Sequence, residues 1–112
     1  MKRFGYTIGV REDKLDEYRQ LHAEVWPAVN AAMTACNLRN FTIFLRRFPD
    51  GKHYLFMYYE YAGDDYAADM RRLAADRDIQ EWWKLTDPCQ EPLTDRDPSE
   101  WWATMSEVCH ND

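Results

Sequence analysis

No run of Lys or Arg in the 112 residues is longer than two, and 20 acidic residues outweigh 14 basic ones for a net charge of −6. Binding to a phosphate backbone depends on clustered cations that displace condensed counterions. Without such a cluster, nucleic acid is not an expected partner. No stretch approaches the roughly 20 apolar residues of a membrane span, and Met1 to Thr7 carries charge with no apolar segment behind it. The expectation is a soluble, unprocessed cytoplasmic protein with no membrane partner. Cysteine is scarce: Cys36, Cys89 and Cys109 are widely spaced and form no CxxC pair. That argues against a disulfide framework and a zinc site and fits reduced cytosolic thiols. The four glycines make no phosphate-cradling loop, and neither a GxSxG string nor a Walker lysine is present. No His, Cys or carboxylate cluster has metal-ligand spacing either, so no metal or organic cofactor is expected.

Aromatic residues, in contrast, are abundant. Five Phe, five Trp and seven Tyr make up 15 % of the chain, with pairs at Tyr58-Tyr59, Trp82-Trp83 and Trp101-Trp102. Rings at this density serve as core, as a dimer surface or as the walls of a ligand pocket. Residues 1–112 read as one domain, large enough to bury roughly two-thirds of the surface of its unfolded chain.

Hydrophobic periodicity organises the chain. Residues 3 to 10 alternate, with Phe4, Tyr6, Ile8 and Val10 on one side and Arg3, Gly5, Thr7 and Gly9 on the other. This predicts a strand whose second face is small enough for something to pack close to it. From Leu15 to Cys36 the apolar residues recur every three or four positions, as in a helix. Pro27 within that pattern removes a backbone donor, so the helix should kink or restart around Trp26-Pro27. Asn37 supplies a stop. Leu38–Arg46 and His53–Tyr61 read as two strands joined through the turn Pro49-Asp50-Gly51. Asp64 and Asp65 can cap a helix carrying Tyr66, Met70 and Leu73, and a shorter helix with Ile79, Trp82, Trp83 and Leu85 follows. Residues 88 to 98 read as an ordered loop and residues 102 to 109 as a last strand. The order βαββαβ predicts an α+β, ferredoxin-like sandwich of one antiparallel sheet with helices on one face. The bare face of so aromatic a sheet would be a large apolar patch. A face-to-face homodimer, closing two sheets into an α+β barrel, would cover it.

Tyr18, His22 and Trp26 at i, i+4 and i+8 share one stripe of the first helix. A buried imidazole must find hydrogen-bond partners, and His is also the side chain best placed to exchange protons near neutrality. From spacing alone, His22 is either a satisfied structural residue or a working one. Trp82 and Trp83 point roughly 100° apart on a helix, so one can face the sheet while the other faces a cavity or a partner. Trp101 and Trp102 suit packing or dimer contacts, His53 beside a turn suits solvent, and His110 belongs to a tail.

The string Tyr18-x-x-x-His22-x-x-x-Trp26-Pro27 resembles the L-rhamnose mutarotase family. The resemblance continues through residues 40 to 45, Leu55-Phe56 leading to Glu60, Glu81-Trp82-Trp83-Lys84, and Glu107-Val108-Cys109-His110. It implies a homodimeric α+β barrel that interconverts the α and β anomers of L-rhamnose or a related 6-deoxy-hexose, without metal or cofactor. It places the family's proton donor on His22 and its sugar contacts on Tyr18, Phe41, Trp82 and Trp83. Position 41 is often Tyr in the family, and here its hydroxyl is missing. Cys109 stands where an aromatic is common, and the segment from Gly63 to Asp78 is longer than in the shortest relatives. Two other readings suit the same barrel: a cofactor-independent oxygenase-like enzyme acting on a flat aromatic substrate, and a non-catalytic sugar-binding module in which His22 is structural.

Overall fold

A computed structural model describes all 112 residues. Strand β1 (Lys2–Val10) leads through a single turn of 3₁₀ helix into α1 (Leu15–Ala23) and α2 (Pro27–Ala35). The long helical pattern therefore restarts at the proline. Glu24 leaves the helical region, and Pro27 becomes the first residue of α2, where its missing N–H has no helical partner to lose. Asn37 takes a left-handed conformation at φ 69°, which the short polar side chain of Asn tolerates, and turns the chain into β2 (Leu38–Arg47). A hairpin at Gly51, φ 87°, returns it as β3 (His53–Tyr61). Helices α3 (Tyr66–Ala75) and α4 (Arg77–Thr86) follow. Each is capped by an aspartate: Asp65 accepts from the Ala68 N–H and Asp76 from the Ile79 N–H. No helix is long and apolar enough to cross a membrane.

The chain ends differently from the expectation. The segment after Pro88, read as loop, holds a two-residue strand, β4 (Gln90–Glu91), and the final strand is only β5 (Ala103–Met105). Both pair with the same edge of β1, β4 at Gly9–Val10 and β5 at Gly5–Thr7. The alternation in β1 is what makes this possible, because a Cβ added to Gly9 would lie 2.8 Å from the Glu91 carbonyl oxygen. Val108 and Cys109, expected in the strand, are exposed.

The sheet runs β2-β3-β1-β4, with β5 beside β4 on the β1 edge. All its pairings are antiparallel, and with its crossover helices this is the ferredoxin-like arrangement. Val29, Leu73, Ile79 and Trp82 from the helices meet Leu38, Tyr59 and Tyr61 of the sheet in one core cluster, so α2, α3 and α4 cover a single face. A second cluster joins Ile8, Val10 and Leu55 to Tyr18 of α1 and to Cys89. Fully burying an aliphatic side chain such as Ile8 or Leu55 contributes about 1.5–3 kcal/mol. The opposite face carries Tyr54, Phe56 and Tyr58 opposite Gly9, Thr7 and Gly5, and Phe44, which is 64 % exposed. A bulge where Asn40 takes φ 55° shifts the β2–β3 register between Arg39 and Thr42. Phe41 emerges from that bulge stacked on Tyr59.

Candidate active site

Helix α1 lays Tyr18 and His22 over the sheet one turn apart. Because α1 stops at Ala23, His22 sits in its last turn, with Trp26 beyond the break. The His22 ring stacks on Tyr18 with centroids 4.1 Å apart, and Trp82 of α4 meets it edge-on at 5.4 Å. Trp26 meets Trp82 in turn at 5.1 Å. The imidazole is thus in contact with aromatic rings supplied by two different helices.

Its protonation follows from its partner. His22 Nδ1 lies 3.0 Å from the Tyr18 carbonyl oxygen, which can only accept, so Nδ1 carries the hydrogen and donates it. In the neutral ring, Nε2 is then the nitrogen with a free lone pair. Burial pushes the imidazole pKa below its ordinary 6.5, and the bond to the carbonyl pulls it partly back. Tyr18 is buried, at 3 % exposed. Burial pushes its phenol well above the ordinary 10, a hydrogen bond from Gln90 opposing. Near neutral pH the pair therefore stands as a neutral imidazole beside a neutral phenol.

A cavity of about 360 Å³ opens beside these two rings, lined by Tyr18, Arg19, His22 and Ala23 of α1 and by Ile43, Leu45 and Leu55 of the sheet. One wall supplies the hydrogen-bonding groups and the other is aliphatic. That division suits a ligand with hydroxyls on one side and C–H groups on the other, in a volume within the usual range of small-molecule sites. No group of three or more His, Cys, Asp or Glu side chains is arranged to hold a metal ion.

The remaining residues singled out in the sequence fall in different places. Phe41 lies on β2 two positions before Ile43, stacked on Tyr59 at 6.1 Å, outside the cavity lining. Trp82 is buried behind the imidazole and borders a second cavity of about 270 Å³ with Glu17, Gln20, Leu21, Glu24 and Trp26. Trp83 turns away on α4, 39 % exposed, and stacks on none of the site's rings. Trp102 packs against the cluster containing Tyr18. His110 bonds only Asp112 in the tail. His53, expected in solvent, has a side chain only 12 % exposed and bonds Glu12 at 3.0 Å; the one-turn helix after β1 brings that carboxylate over it.

Two residues of the site were not singled out for it. Gln90 Nε2 donates to the Tyr18 hydroxyl at 3.5 Å, and Trp101 Nε1 donates to Gln90 Oε1 at 2.8 Å. Gln90 lies in the segment read as loop and Trp101 beyond it. Only the β4–β1 pairing, Gln90 opposite Val10, brings them to α1, and no local pattern signals it.

Comparison with known proteins gives a consistent result. The sequence model of the L-rhamnose mutarotase family matches residues 3–111. An L-rhamnose mutarotase of Oceanobacillus iheyensis is 32 % identical over 112 residues, all of both chains. One from Bacillus subtilis is 33 % identical over 88 residues, 79 % of each chain. Among solved structures, an L-rhamnose mutarotase from Formosa agariphila superposes with a TM-score of 0.74 over 100 % of both chains at 17 % identity, which speaks to the fold.

Proposed function

The chain belongs to the L-rhamnose mutarotase family, and from that premise we propose how its site interconverts the anomers of a sugar. The activity is that of an isomerase acting on a monosaccharide. The finer reading is that the sugar is L-rhamnose or a related 6-deoxy-hexose, that residues 1–112 act as one domain, and that His22 moves the proton.

Mutarotation opens a cyclic hemiacetal. The proton of the anomeric hydroxyl leaves, the bond between the anomeric carbon and the ring oxygen breaks, and the ring oxygen takes a proton. The free aldehyde rotates and recloses on its other face. In ring opening, neutral His22 accepts the anomeric proton at Nε2, and the imidazolium so formed is the donor to the ring oxygen, leaving His22 as it began. Tyr18 stays a phenol throughout and offers its hydrogen to the oxygen on which charge develops. The sugar's methyl group and C–H face rest on Ile43, Leu45 and Leu55. Phe41, Trp82 and Trp83 complete the proposed contacts, although none of the three lines this cavity: Trp82 packs on the imidazole, Phe41 on Tyr59, and Trp83 is 39 % exposed. A positioned acid–base group contributes about 10²- to 10⁴-fold, ample for a reaction that already proceeds in water.

The observation that carries this reading is the His22 ring on the cavity wall with Nδ1 committed to the Tyr18 carbonyl. Saturation transfer between the anomeric protons of L-rhamnose, with L-fucose and other aldoses as comparators, tests it. Exchange should quicken with catalytic amounts of protein; exchange no faster for any aldose refutes it. The exposed Phe44 beside Phe56 and Tyr58 on the outer face supports a face-to-face homodimer, because monomers seldom expose a contiguous apolar patch. Sedimentation should give a dimer at micromolar concentration, and a monomer would remove that part of the reading. A cytoplasmic location fits a metabolic isomerase with buried free thiols at Cys36 and Cys89.

A further inference from the structure

Gln90 and Trp101 make a chain of hydrogen bonds whose direction is settled by chemistry. An indole N–H can only donate. Trp101 Nε1 at 2.8 Å therefore selects the oxygen of the Gln90 amide and turns its nitrogen toward Tyr18. An amide nitrogen likewise only donates, so the Tyr18 oxygen, 3.5 Å away, must accept. A phenol that accepts from Gln90 keeps its own hydrogen free, and no other side chain or backbone group of the protein bonds that hydroxyl. Tyr18 lines the cavity. The chain is also well held: Gln90 is 7 % exposed and pinned by the β4–β1 pairing. The loop that delivers Trp101 is tied by Arg96, which donates to the carbonyls of Leu93 and Glu100.

We propose that Trp101 and Gln90 are positioning residues that orient the Tyr18 hydroxyl as a hydrogen-bond donor to the sugar. This rests on the assignment of Tyr18 to the sugar, and it goes beyond that assignment by specifying the sense of the bond. Were the amide reversed, its oxygen would take the phenolic hydrogen, and Tyr18 would face the developing negative charge with a lone pair. The chain excludes that arrangement before the sugar arrives, so no reorientation is needed during the reaction.

The test uses substitutions whose ranking depends on orientation. In Gln90→Met the amide is gone, the phenolic hydrogen is neither captured nor aligned, and exchange should fall by about 2- to 12-fold, the worth of one neutral hydrogen bond. In Gln90→Glu the carboxylate accepts from both neighbours and captures that hydrogen. A hydrogen bond to a charged group is worth about 1.5–3 kcal/mol, which sets the expected loss in kcat/KM at about 10- to 150-fold. As pH falls and the buried carboxyl takes up a proton, it can donate again, so the rate of Gln90→Glu relative to wild type should rise. Trp101→Phe frees the amide to turn, with an intermediate loss, and adding Gln90→Met to it should restore the Gln90→Met rate. A merely structural role predicts instead that Gln90→Met is as damaging as Gln90→Glu, or that the losses of Trp101→Phe and Gln90→Met add; either result overturns the proposal. Trp101 is 43 % exposed, so that variant remains a folded test if Gln90→Glu does not fold. Tyr18→Phe separates the two levels: wild-type exchange in that variant overturns the Tyr18 assignment and this proposal with it. Loss of exchange in Tyr18→Phe with unchanged rates in every Gln90 and Trp101 variant overturns this proposal alone.

Discussion

The pH dependence of exchange tests the resting state of His22 most directly. Burial lowers the imidazole pKa below 6.5. Even at an unshifted 6.5, about nine-tenths of the ring is neutral at pH 7.5, and a lower pKa only raises that fraction. If neutral His22 starts the reaction, enzymatic kcat/KM is flat from about pH 7 upward. Below the pKa it falls about tenfold per pH unit, with an apparent midpoint under 6.5. If the imidazolium were the starting form, less than a tenth of the enzyme would be active at pH 7.5, and activity would fall tenfold per unit as pH rises. The two profiles have opposite slopes. The height of the plateau also has an expectation: removing the imidazole in His22→Ala should cost about 10²- to 10⁴-fold, or about 2.7–5.4 kcal/mol of barrier at about 1.36 kcal/mol per tenfold. The assay is saturation transfer between anomeric protons at fixed ionic strength, with the protein-free rate subtracted at each pH. An enzymatic rate that climbs as pH drops from 8 to 6, or an exchange enhancement that survives His22→Ala, refutes the proposed mechanism.

Other outcomes follow from the same geometry. The unfolded chain binds a proton near pH 6.5 that the folded chain, with its lower His22 pKa, still refuses; stability should therefore fall as pH drops below about 6.5 and not change on this account above it. Urea midpoints should show that loss in wild type and less of it in His22→Gln. Tyr18→Phe should lower kcat/KM by about 10- to 150-fold, the worth of a hydrogen bond to developing charge, and should cost about 1–3 kcal/mol in urea unfolding because the buried Gln90 amide loses its acceptor. Leu55→Ala removes a side chain that is 1 % exposed, and should cost about 2–5 kcal/mol in urea unfolding. Asp76→Ala removes the cap on the Ile79 N–H, and a loss of about 1 kcal/mol is expected.

Periodicity made most of the fold legible. The helix restart was readable because Pro27 cannot donate, the stop because Asn37 suits the left-handed region, and the aspartate cap at Asp65 because a short acidic side chain precedes an apolar period. The C-terminal fifth was not. β4 is two residues long and β5 three, too short for any alternation, and what places them is space beside Gly5 and Gly9 on β1, a feature of the partner strand. The site divides along the same line. Tyr18 and His22 were legible because they share a helix stripe. Gln90 and Trp101 act on that stripe across 72 and 83 residues of sequence, through strand pairing that no local pattern encodes. Trp82 and Trp83 were separable only as two directions on a helix; that the first is the one packed on the imidazole depends on how α4 lies against α1.

The surroundings of His22 reconcile two demands that oppose each other. A proton acceptor must be unprotonated at working pH, which favours a low pKa, yet it must hold the proton well enough to take it from a hemiacetal hydroxyl, which favours a high one. Every unit by which burial lowers the pKa makes the ring a tenfold weaker base, while the neutral fraction at pH 7, already about three-quarters at the ordinary 6.5, has little left to gain. Burial alone would therefore cost rate. The bond from Nδ1–H to the Tyr18 carbonyl opposes it, since it strengthens when the ring is protonated and raises the pKa that burial lowers. The same bond fixes which nitrogen works. A helix supplies it without any further residue, because the carbonyl four positions back lies under the His22 side chain in the last turn of α1. Tyr18 thus serves His22 through its backbone and its stacked ring, while its hydroxyl is left free for the proposed sugar contact.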